Sequence, residues 1–225
     1  MRILLVRHGL TDQTGAVLTG RTAGVHLDER GTEQAASLAT RLEGAEIEAV
    51  FSSPLERCRE TAAPIAKSHG LRVRRDRRFT EVGYGAWTGE TLAKLSKDTL
   101  WPVVQYRPSL AEFPDGESLV DAQQRIVGGI EDLRRQHTGN VIVSSHADMI
   151  KLAVAHYGGT HLDLYQRIVI APTSLSILRF DAVAGVQLEL LNDLGSLDHL
   201  GAATAAKSEK QSGSKGSAYR EWGHA

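Results

Sequence analysis

Short apolar runs at residues 3–6, 47–51 and 141–143 punctuate this chain. The first, Ile3-Leu4-Leu5-Val6, does not alternate, as expected for a parallel strand buried on both faces. Between the runs, apolar positions recur three and four residues apart. Ala35, Leu38, Ala39 and Leu42 predict a helix over 31–42, and Leu119, Ala122, Ile126, Ile130 and Leu133 predict one over 118–137. Ser53 and Pro54 read as the opening of a further helix, a capping serine and a proline at the first helical position, with Gly70 as its stop. Residues 149–156 predict a fourth helix and 90–97 a short one. Residues 71–76 read as an edge strand kept solvated by its arginines. Residues 174–179 and 186–191 read as closing strands, antiparallel across a turn at 182–185. The segments 10–30 and 79–89 are turn-rich and glycine-rich, and Pro102, Pro108 and Pro114 break up the region that follows.

Strands alternating with helices predict an α/β fold: a three-layer sandwich, with a mainly parallel sheet and helices on both faces. At 225 residues the chain has room for one substantial domain, assigned to residues 1–200. Residues 201–225 shift to Ala, Ser, Lys and Gly and read as a flexible C-terminal tail.

Charge narrows the range of partners. Lys and Arg total 26 against 27 Asp and Glu, a formal net charge of -1, so nucleic acid is not expected as a partner and any basic site must be local. Cys58 is the single cysteine, which excludes an internal disulfide. The chain starts without signal-peptide pattern and holds no apolar run near the ~20 residues a membrane helix needs. A cytoplasmic protein without a membrane partner is expected; oligomeric state is left open.

The candidate chemistry lies at two strand ends. The first strand stops at Arg7-His8-Gly9 and the run at 141–143 leads into Ser144-Ser145-His146. In an open parallel sheet such ends share one edge, where ligands bind. Arg57, early in the helix after the second strand, joins the same edge. Two imidazoles and two guanidiniums then converge with no carboxylate obvious nearby, a cluster that calls for an anion. A phosphoryl group fits best, because guanidinium forks match its oxygens. The other histidines read as structural or surface residues.

Competing motifs fail. Residues 15–22 (GAVLTGRT) resemble a phosphate-binding loop but lack the preceding strand and following helix, and Gly83 and Gly85 lack a third glycine. Cys58 is not a Cys-x5-Arg nucleophile, since Pro64 occupies the arginine position. His146-Ala147-Asp148 has no third ligand at metal spacing, so neither a metal nor another cofactor is expected.

Several motifs in order carry a resemblance: Leu5-Val6-Arg7-His8-Gly9, Thr19-Gly20-Arg21, residues 27–31 leading into Glu33-Gln34-Ala35, Ser52-Ser53-Pro54-Leu55 with Arg57, and Glu60-Thr61-Ala62. Glu81, residues 114–118 (PDGES) and residues 143–146 complete the series. From the first strand to about Asn192 the chain resembles the histidine phosphatase superfamily, the phosphoglycerate mutase-like enzymes. The resemblance implies that His8 is the nucleophile that becomes phosphohistidine. Arg7, Arg57 and His146 would complete the phosphate pocket, and Glu81 corresponds to the family's proton donor. Arg21 and Thr14 fall among the substrate-binding positions, Thr14 where many relatives carry asparagine. Ala147 stands where glycine is usual.

The expected function is a phosphomonoester phosphatase acting on a small phosphorylated metabolite. A phosphomutase is the alternative. It is disfavoured because the stretch 90–117 is short and offers Arg107 alone where cofactor-dependent mutases carry paired arginines. A non-catalytic phosphate-binding protein is the alternative of another class.

Overall fold

The first apolar run is strand β1 (Arg2–Arg7), and it sits inside a six-stranded sheet. With β2 (Ile47–Ser52), β3 (Val73–Arg75), β4 (Asn140–Ser145), β5 (Leu175–Asp181) and β6 (Gly185–Asp193), the order is β3-β2-β4-β1-β5-β6. The first four in that order run parallel; β5 and β6 form an antiparallel extension on the β1 side. This structure, a computed structural model, describes residues 1–195. The tail read at 201–225 and the last residues of the domain assigned to 1–200 lie outside the described residues.

The continuous apolar runs have the cause inferred from them. Ile3 and Leu5 of β1, Ala49 and Phe51 of β2, and Val141 and Val143 of β4 pack into one core layer. Their neighbours Leu4, Val6, Val50 and Ile142 pack into another, on the opposite face. Helices α1 (Glu29–Leu42) and α2 (Glu56–Ser68) cover the second layer through Leu38, Ala39, Leu42, Ala62 and Ile65. On the first face, beyond the short helices α3 (Leu92–Leu95) and α4 (Trp101–Tyr106), lie α5 (Leu119–Gln136) and α6 (Ala147–Tyr157). Three layers result, with the parallel strands buried on both sides.

Two helix starts differ from the sequence reading. α1 begins at Glu29, not Gly31, because the Asp28 carboxylate caps it by accepting from the Gly31 amide at 2.6 Å. α2 begins at Glu56, so Ser53 and Pro54 stay outside it and Leu55 takes the cap position without a side-chain bond. The Ser53 hydroxyl is engaged elsewhere.

The helix that follows β1 crosses to one face and the helix that follows β4 to the other. Adjacent parallel strands whose continuations part this way leave a crevice at their carboxyl ends. The path out of β1 is held by backbone contact. A Cβ on Gly9 would lie 2.7 Å from the Gly31 carbonyl oxygen, and one on Gly31 would lie 2.1 Å from that of Leu10. Gly31→Ala is therefore expected to destabilise the fold by about 1–3 kcal/mol through overpacking, read as a lower urea midpoint at unchanged m-value.

Candidate active site

Strand register brings the site together. Arg7 pairs with Ser145 and Ser52 pairs with Ser144, so three neighbouring strands end at one level. The next residues continue the ladder: the His8 amide donates to the Ser145 carbonyl at 3.0 Å and the Ser53 amide to that of Ser144 at 2.9 Å. His146 is the N-cap of α6. Its ring meets that of His8 edge-on, with centroids 5.3 Å apart.

Arg57, buried at 2% exposure, links the two imidazoles. Its Nε lies 3.3 Å from His8 Nε2, and its Nη2 donates to the Gly20 carbonyl at 2.7 Å and lies 3.2 Å from His146 Nδ1. A guanidinium only donates, so both ring atoms present lone pairs to it. The His8 Nδ1 faces the Gly9 carbonyl at 2.8 Å and so carries the ring proton, which leaves the lone pair on Nε2. Likewise His146 Nε2–H points to Ser53 Oγ at 2.9 Å. Arg57 Nη1 is buried and has no hydrogen-bond partner among the described residues.

Electrostatics keep both rings neutral. Burial pushes His8 well below its usual range, and the charges of Arg57 and Arg7 add to this. His146 is lowered in the same way, again by burial first. Burial also lowers Arg7, to about 10, and its Nη1 donates to the Ile170 carbonyl at 2.6 Å. It stays cationic at neutral pH.

The carboxyls absent from the local motifs arrive from elsewhere. Glu81 Oε1 accepts from the Val82 amide at 2.9 Å, and Oε2 lies 3.7 Å from His146 Nδ1. Burial, with the carboxylate of Asp148 second, raises Glu81 to about 7 against the pull of Arg57 and Arg7. The cleft that these groups line holds about 50 Å³ and is walled by Thr11, Thr14, Thr19 and Gly20 on the side of the loop after β1.

Of the seven residues singled out from sequence, Arg7, His8, Arg57, Glu81 and Thr14 line this cleft. His146 lies fully buried against Arg57. Thr14 Oγ1 is tied to Thr11, accepting from its amide at 3.0 Å. Arg21 lies outside the lining. It braces the loop from behind, donating to the Glu81 carbonyl and to Glu117, each at 2.8 Å. Cys58 is a buried thiol pushed up to about 12 by burial, 3.4 Å from His146 Nε2. Among the described residues no group of three or more His, Cys, Asp or Glu is placed to hold a metal ion, and no helix is long and apolar enough to cross a membrane.

Residues 3–194 match the profile of the histidine phosphatase superfamily, branch 1. The chain belongs to that superfamily. It is 30% identical over 198 residues to phosphoserine phosphatase 1 of Hydrogenobacter thermophilus, covering 84% of this chain and 92% of the relative. It is 30% identical over 175 residues to glucosyl-3-phosphoglycerate phosphatase of Mycobacterium tuberculosis, covering 69% and 78%. The crystal structure of the alpha-ribazole phosphatase from Shigella flexneri superposes with a TM-score of 0.76 at 25% identity, covering 86% of this chain and 97% of that one.

Sequence reasoning missed part of this histidine phosphatase site. Ser53, read as a helix cap, holds His146. Thr61 accepts from the Gly9 amide at 3.0 Å and steadies the backbone next to His8. Asp148 was visible only within a rejected metal motif. Nothing in its spacing from His146 announces a carboxylate facing Glu81; the fold of the 79–89 loop decides that.

The raised Glu81 costs stability at high pH. Its folded state keeps a proton between its ordinary 4.5 and about 7, where the unfolded chain has lost it. The favourable contribution is full below 4.5 and is lost as pH rises through about 7. Glu81→Gln cannot ionise. It is expected to be more stable than the parent at pH 8 by on the order of 1–3 kcal/mol, with the gain gone at pH 4.5; urea melts at the two pH values check this.

Proposed function

We propose that this chain is a phosphomonoesterase that works through a phosphohistidine at His8. The observation that carries the reading is the lone pair of His8 Nε2, presented beside a buried Arg57 whose Nη1 has no protein partner among the described residues. A dianionic phosphoryl group supplies the acceptors that such a guanidinium lacks. Membership of the superfamily, and relatives named as phosphatases, support the same reading.

In the first step His8 Nε2 attacks phosphorus in line with the ester oxygen, and the N–P bond forms as the P–O bond breaks. Arg7 and Arg57 balance charge on the equatorial oxygens, and His146 orients Arg57 by accepting from it at Nδ1. Protonated Glu81 gives its proton to the departing alkoxide. In the second step the Glu81 carboxylate takes a proton from water as that water attacks the phosphohistidine. Inorganic phosphate leaves, and both residues return to their starting state. Thr14, on the cleft wall, contacts the bound ester; Arg21 serves the site by fixing the loop that carries Glu81.

Hydrolysis is favoured over phosphoryl exchange by the same cleft. Arg107, the one arginine in the stretch 90–117, is exposed and is not among the lining residues, so among the described residues no third cation lines the cleft to hold a substrate carboxylate.

His8→Ala is expected to abolish turnover and the acid-labile phosphoenzyme trapped from a labelled ester, while Glu81→Gln slows release of a poor leaving group by roughly 10²–10⁴-fold. Since Glu81 titrates at about 7, kcat/KM for such a substrate is expected to fall as pH rises beyond that value. With 3-phosphoglycerate, free phosphate rather than 2-phosphoglycerate should accumulate. Normal turnover by His8→Ala would overturn the assignment.

A further inference from the structure

The mechanism above leaves one buried carboxyl on the cleft without a task. Asp148 sits in the first turn of α6, is 4% exposed, and lines the cleft with Glu81. It is anchored from two sides: Tyr84 Oη donates to Oδ2 at 2.7 Å, and Lys151 Nζ forms an ion pair with Oδ1 at 3.2 Å. Lys151 is 1% exposed and also donates to Gln166 Oε1 at 3.2 Å, while the Gln166 amide donates to Tyr165 Oη at 3.0 Å. An ammonium that deep needs a counter-charge, and the start of a helix favours an anion in its first turn.

We propose that Asp148 is a positioning residue for the acid step, an anchored negative charge that keeps the proton on Glu81 until the leaving oxygen takes it. The proposal rests on the reading of Glu81 as proton donor. Its physical content is a balance of charges around one carboxyl. Arg7 and Arg57 favour the Glu81 carboxylate, whereas Asp148 and burial favour the acid. Arg21 and Arg125 donate to the Glu81 main-chain carbonyl, at 2.8 and 3.2 Å, and Glu117 pairs with both. His8 and His146 are neutral, and Tyr84 and Tyr165 are held protonated by burial, with Asp148 the next cause. Among the described residues facing Glu81, Asp148 is thus the one carboxylate set against two guanidiniums. Lys151 and Tyr84 keep it in place.

The test is Asp148→Asn, which keeps the shape and the acceptor for Tyr84 but removes the charge. In protein labelled with 13C at glutamate carboxyls, with Glu81→Gln as the assignment control, the Glu81 midpoint is expected to fall by about one pH unit. The high-pH limb of kcat/KM for phenyl phosphate should move down with it. Hydrolysis of p-nitrophenyl phosphate, whose leaving group needs little protonation, should change far less. If the single variant fails to fold because Lys151 loses its carboxylate counter-charge, Asp148→Asn with Lys151→Met removes both charges together and gives the same direction of shift.

A folded variant with an unmoved Glu81 midpoint overturns the proposal, as does equal slowing of both esters with no change in pH profile. A distinct result marks failure of the underlying reading: Glu81→Gln slows the two esters alike, whatever Asp148→Asn does to the carboxyl titration.

Discussion

Burying a guanidinium among imidazoles is the constraint on which this site depends. Arg57 has almost no contact with water, and a desolvated cation must be met by acceptors or anions. Three of its contacts are within the protein: a carbonyl at Gly20 and one ring nitrogen on each of His8 and His146. Those contacts leave the rings no choice of protonation. A protonated imidazole would point N–H against N–H, and burial penalises its charge still more than the arginines do. The arginine proposed to bind the phosphoryl group therefore also keeps His8 unprotonated, which a histidine near its ordinary titration range would achieve for only part of the molecules.

The constraint extends outward through the backbone. Gly20 must bring its carbonyl to Arg57, so the long loop after β1 has to return to the site, and it does so in the left-handed region at φ +54°. Gly9 and Gly31 let that loop pass the start of α1 at contact distance, while the Asp28 cap fixes where the helix begins. The Thr61 hydroxyl holds the Gly9 amide. None of these residues acts on a substrate, yet together they set where His8 Nε2 sits. Positional tolerance for a near-attack geometry is a fraction of an ångström, so rigid backbone contact is a more secure frame than long side chains.

Much of this was legible before any coordinates, and the reason is local. A strand buried on both faces writes itself as an unbroken apolar run, so β1 and β4, and the histidines at their ends, stood out from residues 3–8 and 141–146 alone. Helix periodicity identified the covering layers, and the closing antiparallel pair followed from its turn. Where the reading slipped, a side chain had a distant partner. Ser53 has every local property of a helix cap, but α2 starts only at Glu56, and the Ser53 hydroxyl accepts from the Leu55 amide at 3.3 Å and meets His146 across 93 residues. Arg21 matches a binding position in the motif series, yet its guanidinium reaches Glu81 and Glu117 instead of the cleft. Glu81 could be named by resemblance only, since nothing in FTEVGYGAWTG marks one acid as buried.

The missing carboxylates show most plainly what local reading lacks. Read from the strand ends alone, the site is an excess of positive charge that only a ligand could balance. The folded chain instead places Glu81 and Asp148 against the arginines, from a loop and a helix that lie 67 positions apart by their numbering. This arrangement is more useful than simple neutralisation. Two fully ionised carboxylates would cancel the guanidiniums and weaken the hold on a phosphoryl group. With Asp148 tied to Lys151 and Tyr84, and Glu81 poised near 7, Glu81 can be neutral for the proposed protonation of a leaving group and anionic for the proposed activation of water. In the proposed mechanism the positive field of Arg7 and Arg57 then stays available for the phosphoryl group in both steps. Unequal environments for two acids thus fit one cationic pocket to both halves of the proposed reaction, attack on the ester and hydrolysis of the intermediate.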